Sequence, residues 1–459
     1  MNLKKPEDTI AAIATAPGEA AIGIVRISGS KAIDIVAAIF VSSRQKDIRT
    51  HSGRVFHGEI VGEQGTIDEV LVHVMRAPFS YTREDVVEIN CHGGTAALRA
   101  VLDLVLARGA RLARPGEFTL RAFLNGRIDL VQAEAVIDRI RAQTDAALRA
   151  ASAAAHGVLS RTIYELRDEL AEALAHVEAA IDFPEEDLPE LITEELKTKI
   201  VRCRARMWEL LATANAGRVI REGARVSIVG KPNVGKSSLF NALLRDARAI
   251  VTSHPGTTRD LIEETVSLCG VPMRLIDTAG LRATEDEVER LGVQAAQSTL
   301  ENADAVLFVI DAADSDRTHD AEIAETIIQR NVPALCVINK ADLVRHVEIP
   351  PWTKEFAGTV SVSAKTRENL SLLEKQLTEL LVGNVETVQT SAIVTRAHQR
   401  DSLRRASEAL TRLLENFSAS PEFLSIDLRE SLHALGEITG ETATDEILDR
   451  IFSSFCIGK

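Results

Sequence analysis

Gly230-Lys231-Pro232-Asn233-Val234-Gly235-Lys236-Ser237 constrains this chain more than any other stretch. It follows a strand-like run, Arg225 to Val229, and precedes a helical one, Ser238 to Leu244. Two glycines at this spacing let the backbone curl until its N–H groups converge on phosphate oxygens, with a helix N-terminus beneath them. In such a loop Lys236 reaches the β- and γ-phosphates and the Ser237 hydroxyl ligates Mg²⁺. The strand–loop–helix order therefore predicts a parallel α/β nucleotide-binding domain rather than a bare glycine turn.

The base has to be read elsewhere, because adenine and guanine nucleotides share this loop. Asn339-Lys340-Ala341-Asp342 follows the apolar run Ala334 to Ile338, at the carboxyl end of a predicted parallel strand. A carboxylate only accepts, so Asp342 suits the paired N–H donors of guanine and would stand unpaired against adenine. Ser363-Ala364-Lys365 ends a further strand-like run and can offer a backbone N–H to the base oxygen. Asp277-Thr278-Ala279-Gly280 closes the strand Met273 to Ile276: Asp277 is a candidate to hold Mg²⁺ through water and Gly280 to meet the γ-phosphate. Within Gly256-Thr257-Thr258, Thr258 is a second candidate hydroxyl ligand for Mg²⁺. In this order the motifs resemble those of the translation-factor-related GTPases, and GTP/GDP with Mg²⁺ is the implied ligand. The residue after Gly280 is Leu281, where Ras-like GTPases carry a water-orienting glutamine. Leu281 cannot hydrogen-bond to water, so either another group does that work or the domain only binds nucleotide. Glu285, Asp286, Glu287 and Glu289 stand nearby, in a segment that reads equally well as a solvated helix face.

At 459 residues the chain has length for two to four domains. A formal charge of −14 argues against a sequence-blind nucleic-acid coat. Cys91, Cys203, Cys269, Cys336 and Cys456 are scattered without C-x-x-C spacing, which suits a reducing compartment. With no apolar leader or spanning run, a cytoplasmic location and no membrane partner are expected. The predicted fold class is multidomain. An α+β N-terminal domain covers 1–122, and a helical domain is built from two segments, 123–218 and 385–459. An α/β P-loop GTPase domain, 219–384, is inserted between those segments. The helical stripe Leu403, Ala406, Leu410 and Leu413 reads as core, and the break at Pro184 ends a helix.

Arg114-Pro-Gly-Glu-Phe118, Arg121-Ala-Phe-Leu-Asn125 and the terminal Phe455-Cys456-Ile-Gly-Lys459, taken with the nucleotide motifs, closely resemble the MnmE (TrmE) family of tRNA-modification GTPases over essentially the whole chain. The resemblance implies a homodimer whose N-terminal domain binds folate. It also implies a flavin-dependent (FAD) partner, MnmG, and modification of C5 of the wobble uridine of certain tRNAs. The product is an aminomethyl or carboxymethylaminomethyl group, with a one-carbon unit from 5-formyl- or methylene-tetrahydrofolate. It implies a potassium ion that drives dimerisation of the GTPase domains. Asn233 is then the side-chain K⁺ ligand, Thr252 and His254 contribute through backbone oxygens, and Thr257 completes the shell. Glu289 becomes the water-orienting catalytic group, beside Lys236. The nucleotide contacts extend over Asn233, Val234, Gly235, Lys236, Ser237 and Ser238, over Thr252, Ser253, His254, Pro255, Gly256, Thr257 and Thr258, and over Asp277, Thr278, Ala279 and Gly280. Asn339, Lys340, Asp342, Ser363, Ala364 and Lys365 complete them at the base. Arg26, Glu88, Arg127 and Lys459 are implied for the folate site, basic groups facing the glutamate tail and the carboxylate facing the pterin. Cys456 is a candidate catalytic residue or a structural one.

Two other readings stay open on sequence: a GTP-regulated ribosome-assembly switch, and a nucleotide-binding scaffold without turnover. The nucleotide motifs cannot separate them, whereas the flanking segments favour tRNA modification.

Overall fold

The structure, a computed structural model, describes residues 7–182, 193–246, 248–249, 262–277, 302–385 and 391–459. By compactness the chain divides into two units, 1–137 with 433–459 and 138–432.

In the first unit, alternation of apolar and polar residues dictates a sheet with one buried face. Seven strands run in the order β3-β4-β5-β6-β2-β1-β7. They are β1 (Ile10–Ile13), β2 (Ala20–Ser28), β3 (Phe40–Ser42), β4 (Arg54–Gly62), β5 (Gly65–Met75), β6 (Val86–Gly93) and β7 (Arg111–Leu112). All neighbours are antiparallel except β1 and β7. Val25 and Ile27 of β2, Val72 and Val74 of β5 and Ile89 of β6 turn inward onto Val101 and Val105 of the helix Thr95–Ala107. The intervening residues, Arg26 and Glu88 among them, therefore share the opposite face, and the register sets those two directly across from each other.

The C-terminal helix Asp445–Phe452, capped by Thr444, belongs to this unit. Its Leu448 and Phe452 bury against Leu130 and Ile137. By compactness 433–459 falls in the same unit as the N-terminal sheet, and the residues it buries against, Leu130 and Ile137, open the segment 123–218 with which the sequence grouped it. The tail beyond this helix is pinned by Gly116, whose N–H donates to Cys456 O at 3.4 Å, and by Phe118, whose N–H donates to Lys459 O at 3.1 Å.

The second unit joins a helical part to a second seven-stranded sheet, ordered β14-β13-β12-β8-β11-β10-β9. These strands are β8 (Ala224–Val229), β9 (Arg248–Ala249), β10 (Ile262–Leu268), β11 (Val271–Asp277), β12 (Ala305–Asp311), β13 (Ala334–Asn339) and β14 (Gly358–Ser361). The five from β14 to β11 are parallel, and β10 and β9 form an antiparallel edge. All six residues of β13 are buried, as a parallel strand covered on both faces requires. The helix Ala397–Glu415 packs along the helix Glu194–Ala212. Leu403, Leu410 and Leu413 are fully buried there, each stabilising by about 2 kcal/mol.

The chain leaves the helical part and returns to it at one place. Val394 N–H donates to Thr213 Oγ1 at 3.0 Å, and a Cβ on Gly217 would lie 2.2 Å from Val394 O. Only glycine permits that approach. Among the described residues no helix is long and apolar enough to cross a membrane.

Candidate functional site

β8 ends at Val229, and the loop to the helix Lys236–Asp246 turns back at once. Gly230 adopts φ +155°, and a Cβ there would stand 2.2 Å from Val309 O of β12. Gly235 adopts φ +94°, and its Cβ would strike Asn339 Nδ2 at 2.3 Å. Both positions therefore exclude any side chain. Asn233 between them is left-handed at φ +62°, which asparagine tolerates better than most residues. Its exposed side chain makes no hydrogen bond among the described residues.

Lys236 Nζ donates to Gly230 O at 2.9 Å and to Lys231 O at 2.8 Å, so the ammonium lies within the curl of the loop. Burial holds its pKa below the ordinary lysine range, and the Asp277 carboxylate opposes that shift. Asp277 is buried at the end of β11, next to β8, while Ser237 is exposed in the first helical turn. A hydroxyl and a carboxylate are the hard oxygen donors that Mg²⁺ takes, so the residues present fit that ion. Val234 is buried, and Ser238 is exposed beside Ser237.

The segments expected to read the base, 339–342 and 363–365, meet the loop from β13 and β14. Asn339 is buried; its Nδ2 donates to Val234 O at 3.0 Å and its Oδ1 accepts from Ala364 N–H at 3.1 Å. One amide thus ties together three of the segments expected to surround a nucleotide. Lys340, left-handed at φ +62°, donates through Nζ to Asn233 O at 2.8 Å and to Asp311 Oδ2 at 2.6 Å. Asp342 is exposed, and its Oδ1 accepts from the buried Ser363 hydroxyl at 2.7 Å, which fixes the carboxylate's direction. Lys365 is exposed. Thr252, Ser253, His254, Pro255, Gly256, Thr257, Thr258, Thr278, Ala279, Gly280 and Glu289 lie outside the described residues.

A second constellation lies on the polar side of the N-terminal sheet. Arg26 Nε donates to Glu88 Oε1 at 2.8 Å, and Arg26 Nη1 to Gly458 O at 3.2 Å. Gly458 adopts φ +91° with Ile13 O only 2.3 Å from where a Cβ would be, so the tail can approach this closely only as glycine. The Arg127 guanidinium lies 4.4 Å from the centre of the Tyr81 ring, and Arg26 lies 5.7 Å from the rings of both Tyr81 and Phe118. Held by ring faces, Arg127 makes no hydrogen bond through its side chain among the described residues and keeps its donors available for an anion. Lys459 is half-buried at the end of the pinned tail, and the Cys456 side chain is exposed.

The same unit holds a buried charge cluster next to Phe118 in the chain. Arg121, with no exposed surface, donates to Asp8 Oδ1 at 2.6 Å and to Glu117 Oε1 and Glu84 at 3.2 Å. Arg111 takes Glu117 with two bonds, at 2.6 and 3.1 Å. Burial alone would raise the Glu117 pKa, but Arg111, the Arg114 N–H and Arg121 together hold it below the usual carboxylate range.

Arg26, Glu88, Arg127 and the C-terminal tail that the sequence named are thus brought together. Sequence reasoning missed Tyr81 and Phe118, the rings that support the arginines. Tyr81 is one of only two tyrosines in the chain, a scarcity that could have drawn notice.

Comparison with known proteins agrees with this layout. A family model described as the MnmE helical domain matches residues 130–456, and one described as the GTP-binding protein TrmE N-terminus matches 9–127. The tRNA modification GTPase MnmE of Heliobacterium modesticaldum is 47% identical over 467 residues, covering 98% of this chain and 99% of that one. Its counterpart in Alkaliphilus oremlandii is 45% identical over 461 residues, and that in Clostridioides difficile 44% over 458; each comparison covers 99% of both chains. With these matches over nearly its whole length, the protein belongs to the MnmE family of tRNA-modification GTPases.

Proposed function

We propose that this GTPase couples GTP hydrolysis to addition of an aminomethyl or carboxymethylaminomethyl group at C5 of the wobble uridine of certain tRNAs. In this reading it acts as a homodimer together with the flavin-dependent partner MnmG, in the cytoplasm. The observation that carries the hydrolytic part is Asn233. Its backbone carbonyl is held by Lys340 while its amide side chain has no partner among the described residues, as a side-chain ligand for a monovalent cation requires. Potassium bound there would neutralise the negative charge that develops between the phosphates. Thr252, His254 and Thr257 are assigned to the same ion, Ser237 and Thr258 to Mg²⁺, and Glu289 to the attacking water, since Leu281 cannot orient it.

The one-carbon part rests on the N-terminal pocket. The free donors of Arg127 suit the carboxylates of a tetrahydrofolate tail, and Lys459 stands at the pinned terminus. Glu88, with Oε1 engaged by Arg26, offers Oε2 to a ring with paired N–H donors. Arg26 holds that carboxylate turned to one side. Cys456 is assigned to the same chemistry by its exposure at the end of this tail.

The test is GTP turnover in potassium and in sodium at equal ionic strength, with Asn233→Ala alongside. Strong potassium stimulation that disappears in Asn233→Ala supports the cation site and dimerisation through it. Equal rates in the two salts would remove the potassium assignment and leave the folate pocket to be judged by binding of 5-formyltetrahydrofolate alone.

A further inference from the structure

The phosphate loop is strapped in two places to aspartates at and beyond the end of β12. Lys340 provides one strap, from Asn233 O to Asp311. Lys231 provides the other, and none of the nucleotide motifs accounts for it. Its Nζ lies 2.8 Å from Asp314 Oδ2, 2.9 Å from Asp316 O and 3.4 Å from Asp320 Oδ2, three acceptors for three protons. Asp320 has no exposed surface, lies in the first turn of the helix Thr318–Gln329 and shares its Oδ2 with Arg317. Its Oδ1 has no hydrogen-bond partner among the described residues, so the buried carboxylate depends on the two cations beside it. The acidic loop is stiffened by its own side chains: Asp314 Oδ1 accepts from Asp316 N–H at 3.0 Å, and Asp316 Oδ1 from Thr318 N–H at 3.1 Å. Lys231 is thus fixed at its far end to a rigid loop and a helix start. At its near end its carbonyl accepts from Lys236 Nζ at 2.8 Å.

We propose that Lys231 is a positioning residue for the nucleotide phosphates, anchoring the loop carbonyl on which Lys236 rests to the 314–320 segment. It does not touch the phosphates itself. The inference rests on GTP hydrolysis by this family and is independent of the potassium and folate assignments. Lys231→Met removes the strap and leaves the loop glycines and Lys236 in place. Lys231→Arg keeps a cation long enough to reach the same acceptors.

Steady-state GTP hydrolysis and release of a fluorescent GDP analogue, measured on the full chain, test it. In Lys231→Met, KM for GTP and the GDP release rate rise about tenfold, the size of one lost charge-assisted hydrogen bond, while kcat stays within about twofold. Lys231→Arg restores both to within about threefold. A folded Lys231→Met in which kcat falls along with the rise in KM, and which arginine does not repair, overturns the proposal. A folded Lys231→Met with unchanged KM and GDP release overturns it as well. Should Lys231→Met fail to fold, Asp314→Asn serves instead, because Asp314 is partly exposed and its loss leaves the Asp320 pair intact. The expected rise in KM is then about threefold, and no rise overturns the proposal.

Discussion

The phosphate loop and the N-terminal arginine cluster both hold cations in fixed directions, yet they are built in different ways. In the loop, Lys236 finds its carbonyl partners five and six residues away, and the donors around it come largely from the backbone. In the arginine cluster, Arg26 reaches Glu88 across 62 positions and Gly458 across 432. The loop's cations are lysines set on carbonyls and aspartates, whereas Arg26 and Arg127 lie against aromatic rings, with buried ion pairs in the same unit. A locally encoded site depends on a few residues in its own turn. A site gathered from the two ends of the chain depends on everything that keeps those ends together.

Removing one cation from each region should expose that difference. Lys236→Met is expected to lower GTP turnover on the order of a hundredfold or more, because a preorganised donor to the phosphates is lost. Its unfolding midpoint should move little; a collapse of stability would show the loop to be less self-contained than its geometry implies. Arg121→Met is expected to do the reverse. It leaves the buried Glu117 and the partly buried Glu84 beside a missing charge and should cost about 3 kcal/mol, seen as a lower urea midpoint, with little change in GTP affinity.

Acid sharpens the same contrast. The Glu117 pKa is depressed in the folded chain, so the stability it contributes is present above the unfolded carboxylate pKa. That contribution is lost as pH falls through the lower, folded value. Glu117→Gln should therefore lower the urea midpoint at neutral pH and flatten its fall in acid; an acid limb as steep as in the parent chain would assign the fall to other carboxylates. The smallest expected effect is at Tyr81. Tyr81→Leu removes the ring under Arg127 and should weaken 5-formyltetrahydrofolate binding about tenfold, the size of a partly desolvated cation–π contact. Unchanged binding in calorimetry would mean that the ring does not hold the arginine for the ligand.

How much of this was legible beforehand follows from the same division. β8, β11, β13 and β14 end within two residues of the predicted strand ends, because parallel strands covered on both faces read as unbroken apolar runs bounded by motif residues. The helix Val158–Asp182 ends just before the Phe183-Pro184 break. Arg26 and Glu88 were named through resemblance, and the sheet register supplies the physical reason for their pairing. Arg114-Pro-Gly-Glu-Phe118 and Arg121 were legible as a signature but not as a mechanism. The i,i+4 spacing of Glu117 and Arg121 allows them to pair on a helix, but nothing in it says that the pair is buried or that Phe118 faces Arg26.

By itself the sequence determined what short-range geometry dictates. Glycine spacing set the loop, a lysine and a hydroxyl followed it, and a carboxylate stood where a guanine can be read. Each depends on backbone torsions and hydrogen-bond directions within a few residues. Tertiary structure alone decided which core takes the C-terminal helix, how the tail comes to lie on Arg26, and why Lys231 meets a buried aspartate some ninety positions away. Those contacts are selected by packing and by the cost of burying charge without a partner, and both are properties of the folded chain as a whole.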